Sequence, residues 1–141
     1  MKYDDATWHS EGDFPEDLPP EAGATHSGMF LAWAILHELG GDIHVQELPE
    51  SLQSLQDRSV TPGRFLLNNC DGKFTDEDLN EEGNRFAADY FDLTKGHYLI
   101  DYQMALGEEL PSPYHVPDTW ESYDRLCVVL DERLKAWRQG G

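Results

Sequence analysis

The chain has 141 residues, with 28 acidic and 10 basic side chains and a formal net charge of −18. A field of that sign repels nucleic acid and anionic membrane surfaces and attracts cationic partners. Hydrophobic residues make up 39% of the chain, including four Trp, six Tyr and six Phe, so it can build a core, unlike an acidic disordered segment.

Residues 1–24 read as an irregular acidic arm. Pro15, Pro19, Pro20, Gly12 and Gly23 exclude a long helix. Trp8, Phe14 and Leu18 are spaced as anchors that pack over the first helix, with the acids facing water. The opening MKYDDATWHSEGDF has no apolar run behind a basic start, so no secretory signal is expected.

A helix is expected from Thr25, as N-cap, to the Gly40-Gly41 stop. It is apolar nearly all round, the signature of a central buried helix. Residues 42–56 are ambiguous: IHVQEL suits a short strand and ESLQSLQDR a short helix. Thr61-Pro62 opens the next helix, which stops near Asp71-Gly72. Thr75 to Asp78 has the form of a capping box ahead of a helix carrying Leu79, Phe86, Ala87, Tyr90 and Phe91. Gly83 predicts that this helix begins late or breaks there. Tyr98 to Leu106 follows a helical period.

The last helix has Asp118 and Glu121 as its cap. Its apolar stripe comprises Trp120, Tyr123, Leu126, Cys127, Leu130, Leu134 and Trp137. Glu121–Arg125 and Asp131–Lys135 are set at ion-pair spacing on its outer face. The fold class expected is mainly α: a compact single-domain bundle of about five or six helices, with the arm 1–24 packed on the core 25–139.

Motifs for chemistry are sparse. There is no HExxH, GxSxG or Gly-rich phosphate loop. Residues 71–82 fail as an EF-hand, because Lys73 and Thr75 take ligand positions and Asp76 takes the place of the turn glycine. Cys70 and Cys127 read as reduced core thiols without an electropositive setting. His26 and His37 lie eleven residues apart on one helix, about 16 Å, too far to share an ion. His9 lies beside Asp4, Asp5 and Asp13 in a segment read as solvated. No catalytic residue, metal or cofactor is therefore expected, and the chain is read as a binding protein and not an enzyme.

The acids concentrate in two stretches, residues 1–21 and 71–92. Asp4, Asp5, Asp13, Glu16, Asp17, Asp76, Glu77, Asp78, Glu81 and Glu82 are the candidate partner-binding residues, presented to Lys and Arg of a basic protein.

The run YDDATWHSEGDFPEDLPPEAGATHSGMFLAW (Tyr3 to Trp33), with YHVPDTWESYDRL (Tyr114 to Leu126), resembles a family of small uncharacterised bacterial proteins. The resemblance covers most of the chain. It implies an arm integral to the domain and an association with the immunity side of polymorphic-toxin systems. The expectation that follows is a cytoplasmic immunity protein that occludes a cognate, basic toxin domain in a 1:1 complex, without nucleic acid or membrane. Two alternatives stand beside it. One is a small metal-dependent hydrolase using Asp and His of the arm, with His9 and His26 as its test residues. The other is an acidic adaptor or nucleic-acid mimic.

Overall fold

The computed structural model describes residues 1–140 and is organised around helix α2 (Thr25–Leu36), in which every residue from Thr25 to Ile35 is buried. Its sequence explains that position: THSGMFLAWAIL contains no Lys, Arg, Asp or Glu and no proline to turn outward. A 3-10 turn, Pro20–Ala24, feeds directly into it. The helical path has already begun at Thr25, so Thr25 stands inside the helix and makes no side-chain cap.

The mainly helical class is as expected. Eight α-helices occur among the described residues, more than the five or six expected, because several are one or two turns long. The segment 42–56 resolves into α3 (Asp42–Val45) and α4 (Pro49–Gln56), with no strand. Helix α5 (Pro62–Cys70) starts as its sequence demands, with Thr61 accepting from the Arg64 N–H and Pro62 in the first turn; it stops on Asp71 in the left-handed region. It crosses α2 at a close approach. A Cβ on Gly28 would lie 2.5 Å from the Pro62 carbonyl oxygen and 2.7 Å from the Gly63 Cα.

The arm differs from expectation. Residues Lys2–Asp5 form strand β1, which pairs antiparallel with β2 (Lys73–Thr75). A register irregularity between Lys2 and Asp4 accompanies the burial of both Asp4 and Asp5. Helix α1 (Ala6–Ser10) follows, its Thr7 N–H donating to the Asp5 carboxylate. The prolines do keep residues 11–19 out of regular helix. Phe14 packs on Tyr114, with ring centroids 4.8 Å apart. Trp8 is no cover for α2: it is 51% exposed, with Lys2 over its ring.

The Thr75–Asp78 box closes a 3-10 turn, with Asp78 accepting from the Thr75 N–H at 2.8 Å. Helix α6 (Glu81–Tyr90) begins only afterwards, capped by Asn80 on the Gly83 N–H. Gly83 thus falls in the first turn, where a Cβ would sit 2.5 Å from the Leu39 carbonyl oxygen. Helix α7 (His97–Tyr102) continues into a π turn, Gln103–Gly107. Phe30 of α2 joins these elements, with Phe74, Phe86, Phe91 and Tyr98 rings all within 6.2 Å of its own.

Helix α8 (Trp120–Arg138) buries Tyr123, Leu126, Leu130 and Leu134 of the expected stripe, while Trp120, Cys127 and Trp137 are half-buried. Its cap is Thr119, which accepts from the Ser122 N–H. Asp118 instead accepts from the Gly63 N–H and the Thr61 hydroxyl, tying α8 to α5. The i, i+4 pairs give way to tertiary bonds. Arg125 donates to the Ala105 carbonyl, and Asp131 accepts from the Trp33 indole.

Candidate functional site

The end of β1, helix α1 and the start of α2 converge on one buried carboxylate, Asp4. Its side chain is 1% exposed. His9 of α1 approaches through Nε2 at 2.8 and 3.0 Å from the two carboxylate oxygens. His26, in the first turn of α2, places Nε2 2.7 Å from Asp4 Oδ2. The Ser27 hydroxyl donates to the same oxygen at 2.5 Å. Behind His9, Nδ1 meets the Tyr114 hydroxyl at 2.7 Å, from the 3-10 turn Pro113–His115. The two imidazoles meet edge to face, centroids 4.5 Å apart.

A buried carboxylate is costly unless donors surround it. Burial by itself would raise the Asp4 carboxyl. Hydrogen bonds from His26 and His9, the His26 charge and the Ser27 hydroxyl outweigh that and hold it well below the usual carboxylate range. Burial, with the nearby Asp4 charge, pushes the Tyr114 phenol up, so Tyr114 stays a neutral hydroxyl.

The two imidazoles form part of the wall of a pocket of about 390 Å³, with Gly96, Leu99, Ile100, Gln103, Pro113 and Tyr114 completing it. A mostly apolar chamber with a few convergent polar groups is the usual form of a small-molecule site. His9 Nε2, His26 Nε2 and an Asp4 oxygen lie within 4.8 Å of one another, close enough to hold one metal ion.

A His–Asp contact alone does not distinguish this place. His37–Asp131, His44–Asp78 and His115–Asp17 also occur. What sets Asp4 apart is that it serves two imidazoles at once beside a pocket. The His44–Asp78 pair is 2.7 Å long and wholly internal, with Cys70 Sγ 3.6 Å from Asp78 Oδ1. Burial, followed by the Asp78 charge, pushes the Cys70 thiol up, which removes it as a nucleophile.

The ten candidate partner-binding acids divide. Asp4, Asp5 and Asp78 are buried and bonded internally, so they present no carboxylate to a partner; their assignment to a binding surface is corrected. Each serves polar hydrogens that folding would otherwise strand. Asp13, Glu16, Asp17, Glu77 and Glu81 are exposed, and Asp76 and Glu82 half-buried. Asp17 pairs with His115, Asp76 with the N-terminal amine, Glu81 with Arg85 and Glu82 with Arg138.

His9 and His26 were legible as a test pair for metal. No sequence pattern points to Ser27 or Tyr114 as part of this centre. Tyr114 comes from a segment 105 residues beyond His9, and no local pattern relates the two.

A family model described as a domain of unknown function, DUF7832, matches residues 2–116. The chain belongs to that family. The matched region holds Asp4, His9, His26, Ser27 and Tyr114, while α8 lies beyond it. No curated protein and no solved structure matches the chain.

Proposed function

We propose that the protein is a metal-dependent hydrolase whose ion is held by His9, His26 and Asp4, and whose substrate is a small molecule with an apolar body seated in the adjoining pocket. The observation that carries this reading is the convergence of two imidazole nitrogens on one buried carboxylate oxygen, with both imidazoles lining that pocket. Two imidazoles and a carboxylate form a donor set suited to a catalytic divalent ion, with a further position left for water. Such an ion, when bound there, would lower the pKa of its water toward about 7 and would polarise a substrate carbonyl or phosphoryl oxygen.

The surrounding bonds fit that role. Tyr114 on His9 Nδ1 fixes the imidazole with Nε2 toward the centre, and Ser27 fixes the Asp4 carboxylate. Leu99, Ile100 and Pro113 supply apolar contact for the substrate body. The ligands come from β1, α1 and α2, so no short motif carries them.

The test is hydrolysis of p-nitrophenyl acetate and p-nitrophenyl phosphate by the chain supplied with Zn²⁺ or Mn²⁺. Metal-dependent turnover of either ester, reduced at least a hundredfold in His9→Ala and His26→Ala, is expected. Equal rates with and without metal, or in the variants, would sink the reading.

A second reading rests on the surface. With a net charge of −18, the exposed Asp13, Glu16, Asp17, Glu77 and Glu81 favour association with a basic protein, as an immunity protein would make with its cognate toxin. Co-expression with the product of the adjacent gene tests it. A 1:1 complex whose association slows with salt supports it; a neighbour that is neither toxic nor bound removes it.

A further inference from the structure

His37, just past α2, has its two ring nitrogens between acceptors. Nδ1 lies 2.8 Å from the Trp33 carbonyl oxygen, and Nε2 lies 3.0 Å from Asp131 Oδ1 on α8. Neither oxygen carries a hydrogen. A neutral imidazole has one N–H, so it satisfies one oxygen and turns a lone pair on the other. With Nδ1–H on the Trp33 carbonyl, Nε2 turns its lone pair toward the carboxylate, the arrangement of two ligands of one shared cation.

The third neighbour favours the cation. Cys127, one helical turn before Asp131, places Sγ 3.9 Å from His37 Nε2 and 3.8 Å from both Asp131 carboxylate oxygens. Tetrahedral zinc, with Zn–S about 2.3 Å and Zn–N or Zn–O about 2.0 Å, sets its ligand atoms about 3.3–3.6 Å apart. The observed triangle needs only small side-chain adjustments to match.

We propose that His37 Nε2, Cys127 Sγ and an Asp131 oxygen bind a zinc-class divalent ion, at a second site separate from the Asp4 centre. The supporting bonds are those of a ligating set. His37 Nδ1–H donates to the Trp33 carbonyl, which presents Nε2 to the metal, and the Trp33 indole donates to Asp131 at 2.9 Å. Burial, followed by the Asp131 charge, raises the Cys127 thiol; a metal displaces that proton on binding. His37 and Asp131 face a surface depression of about 360 Å³, which gives an ion an entry path and room for a water ligand. Of the cations lining it, Arg138 is already held by Glu82, and Lys135 is exposed. The ion would join the end of α2 to α8, pinning the C-terminal helix to the family domain.

The test is Co²⁺ titration of the reduced full chain, read by the thiolate-to-cobalt charge-transfer band. The Asp4 centre has no thiolate and is silent in this readout. A band of single-thiolate intensity is expected, lost in Cys127→Ser, retained in Cys70→Ser and retained in His9→Ala. Asp131→Asn should weaken cobalt binding at least tenfold, with the Trp33 indole still able to donate to the amide oxygen. Circular dichroism confirms folding of each variant; should Cys127→Ser unfold, His37→Gln keeps the thiol and is expected to show the same tenfold weakening. No band in the wild type, or a band that survives Cys127→Ser, overturns the proposal. A band lost only in Cys70→Ser also overturns it, by placing the metal at the buried His44–Asp78 pair.

Discussion

Asp4 joins three elements through one carboxylate, which satisfies donors from two histidines and a serine. Replacing Asp4 by Ala strands three polar groups in the interior, and a loss of about 3–5 kcal/mol is expected by denaturant unfolding. The pH dependence has a definite sign. The folded Asp4 pKa is depressed, so its contribution is fully present above the ordinary carboxylate value, about 3.9, and is lost as pH falls below that toward the folded value. Unfolding curves taken below pH 4 should therefore show a steeper loss for the wild type than for Asp4→Asn. A parallel decline in the two proteins would mean that Asp4 is not held ionised by its neighbours. The sequence placed His9 close to Asp4 but treated both as solvated. Acidic side chains usually face water, and the register irregularity that accompanies Asp4 burial arises in pairing with β2, some seventy residues away.

At the scale of elements, legibility followed the range of the interactions. The opening of α5 at Thr61-Pro62, the apolar body of α2 and the stripe of α8 rest on local chemistry, and each was legible. The strand β1 was not, since four residues hold extended form only through a partner strand that is itself three residues long. The start of α8 shows the same limit: a D-x-x-E pattern suggested Asp118 as cap, but tertiary donors on α5 claim that carboxylate and Thr119 takes the role. The crossing of α2 over α5 gives a direct prediction. Gly28→Ala drives a methyl group into the Pro62–Gly63 backbone, which cannot swing aside as a side chain can. A destabilisation of about 1–3 kcal/mol is expected, the range for overpacking. An unchanged denaturation midpoint would show that the helices do not meet so closely.

For the whole molecule, the −18 charge has two distinct components. Buried Asp4, Asp5 and Asp78 are each bonded to nearby internal donors, while the exposed acids repel one another across the surface. Screening acts on the second group and hardly on the first. Raising salt from 0.02 to 0.5 M should therefore stabilise the fold, by roughly 1 kcal/mol, as surface repulsion is damped. A melting temperature that falls over this range would indicate that surface ion pairs such as Arg58–Asp124 and Glu82–Arg138 outweigh the repulsion. No helix among the described residues is long and apolar enough to cross a membrane.

The most direct trial of the proposed metal centre at His9, His26 and Asp4 is zinc content in the Cys127→Ser background, where the proposed second site lacks its thiolate. The chain is loaded with zinc, freed of excess ion by gel filtration and assayed by elemental mass spectrometry. One zinc per chain is expected, falling to none when His26→Ala is added. A chain that retains no zinc, or that retains it undiminished without His26, would contradict the centre as a metal site.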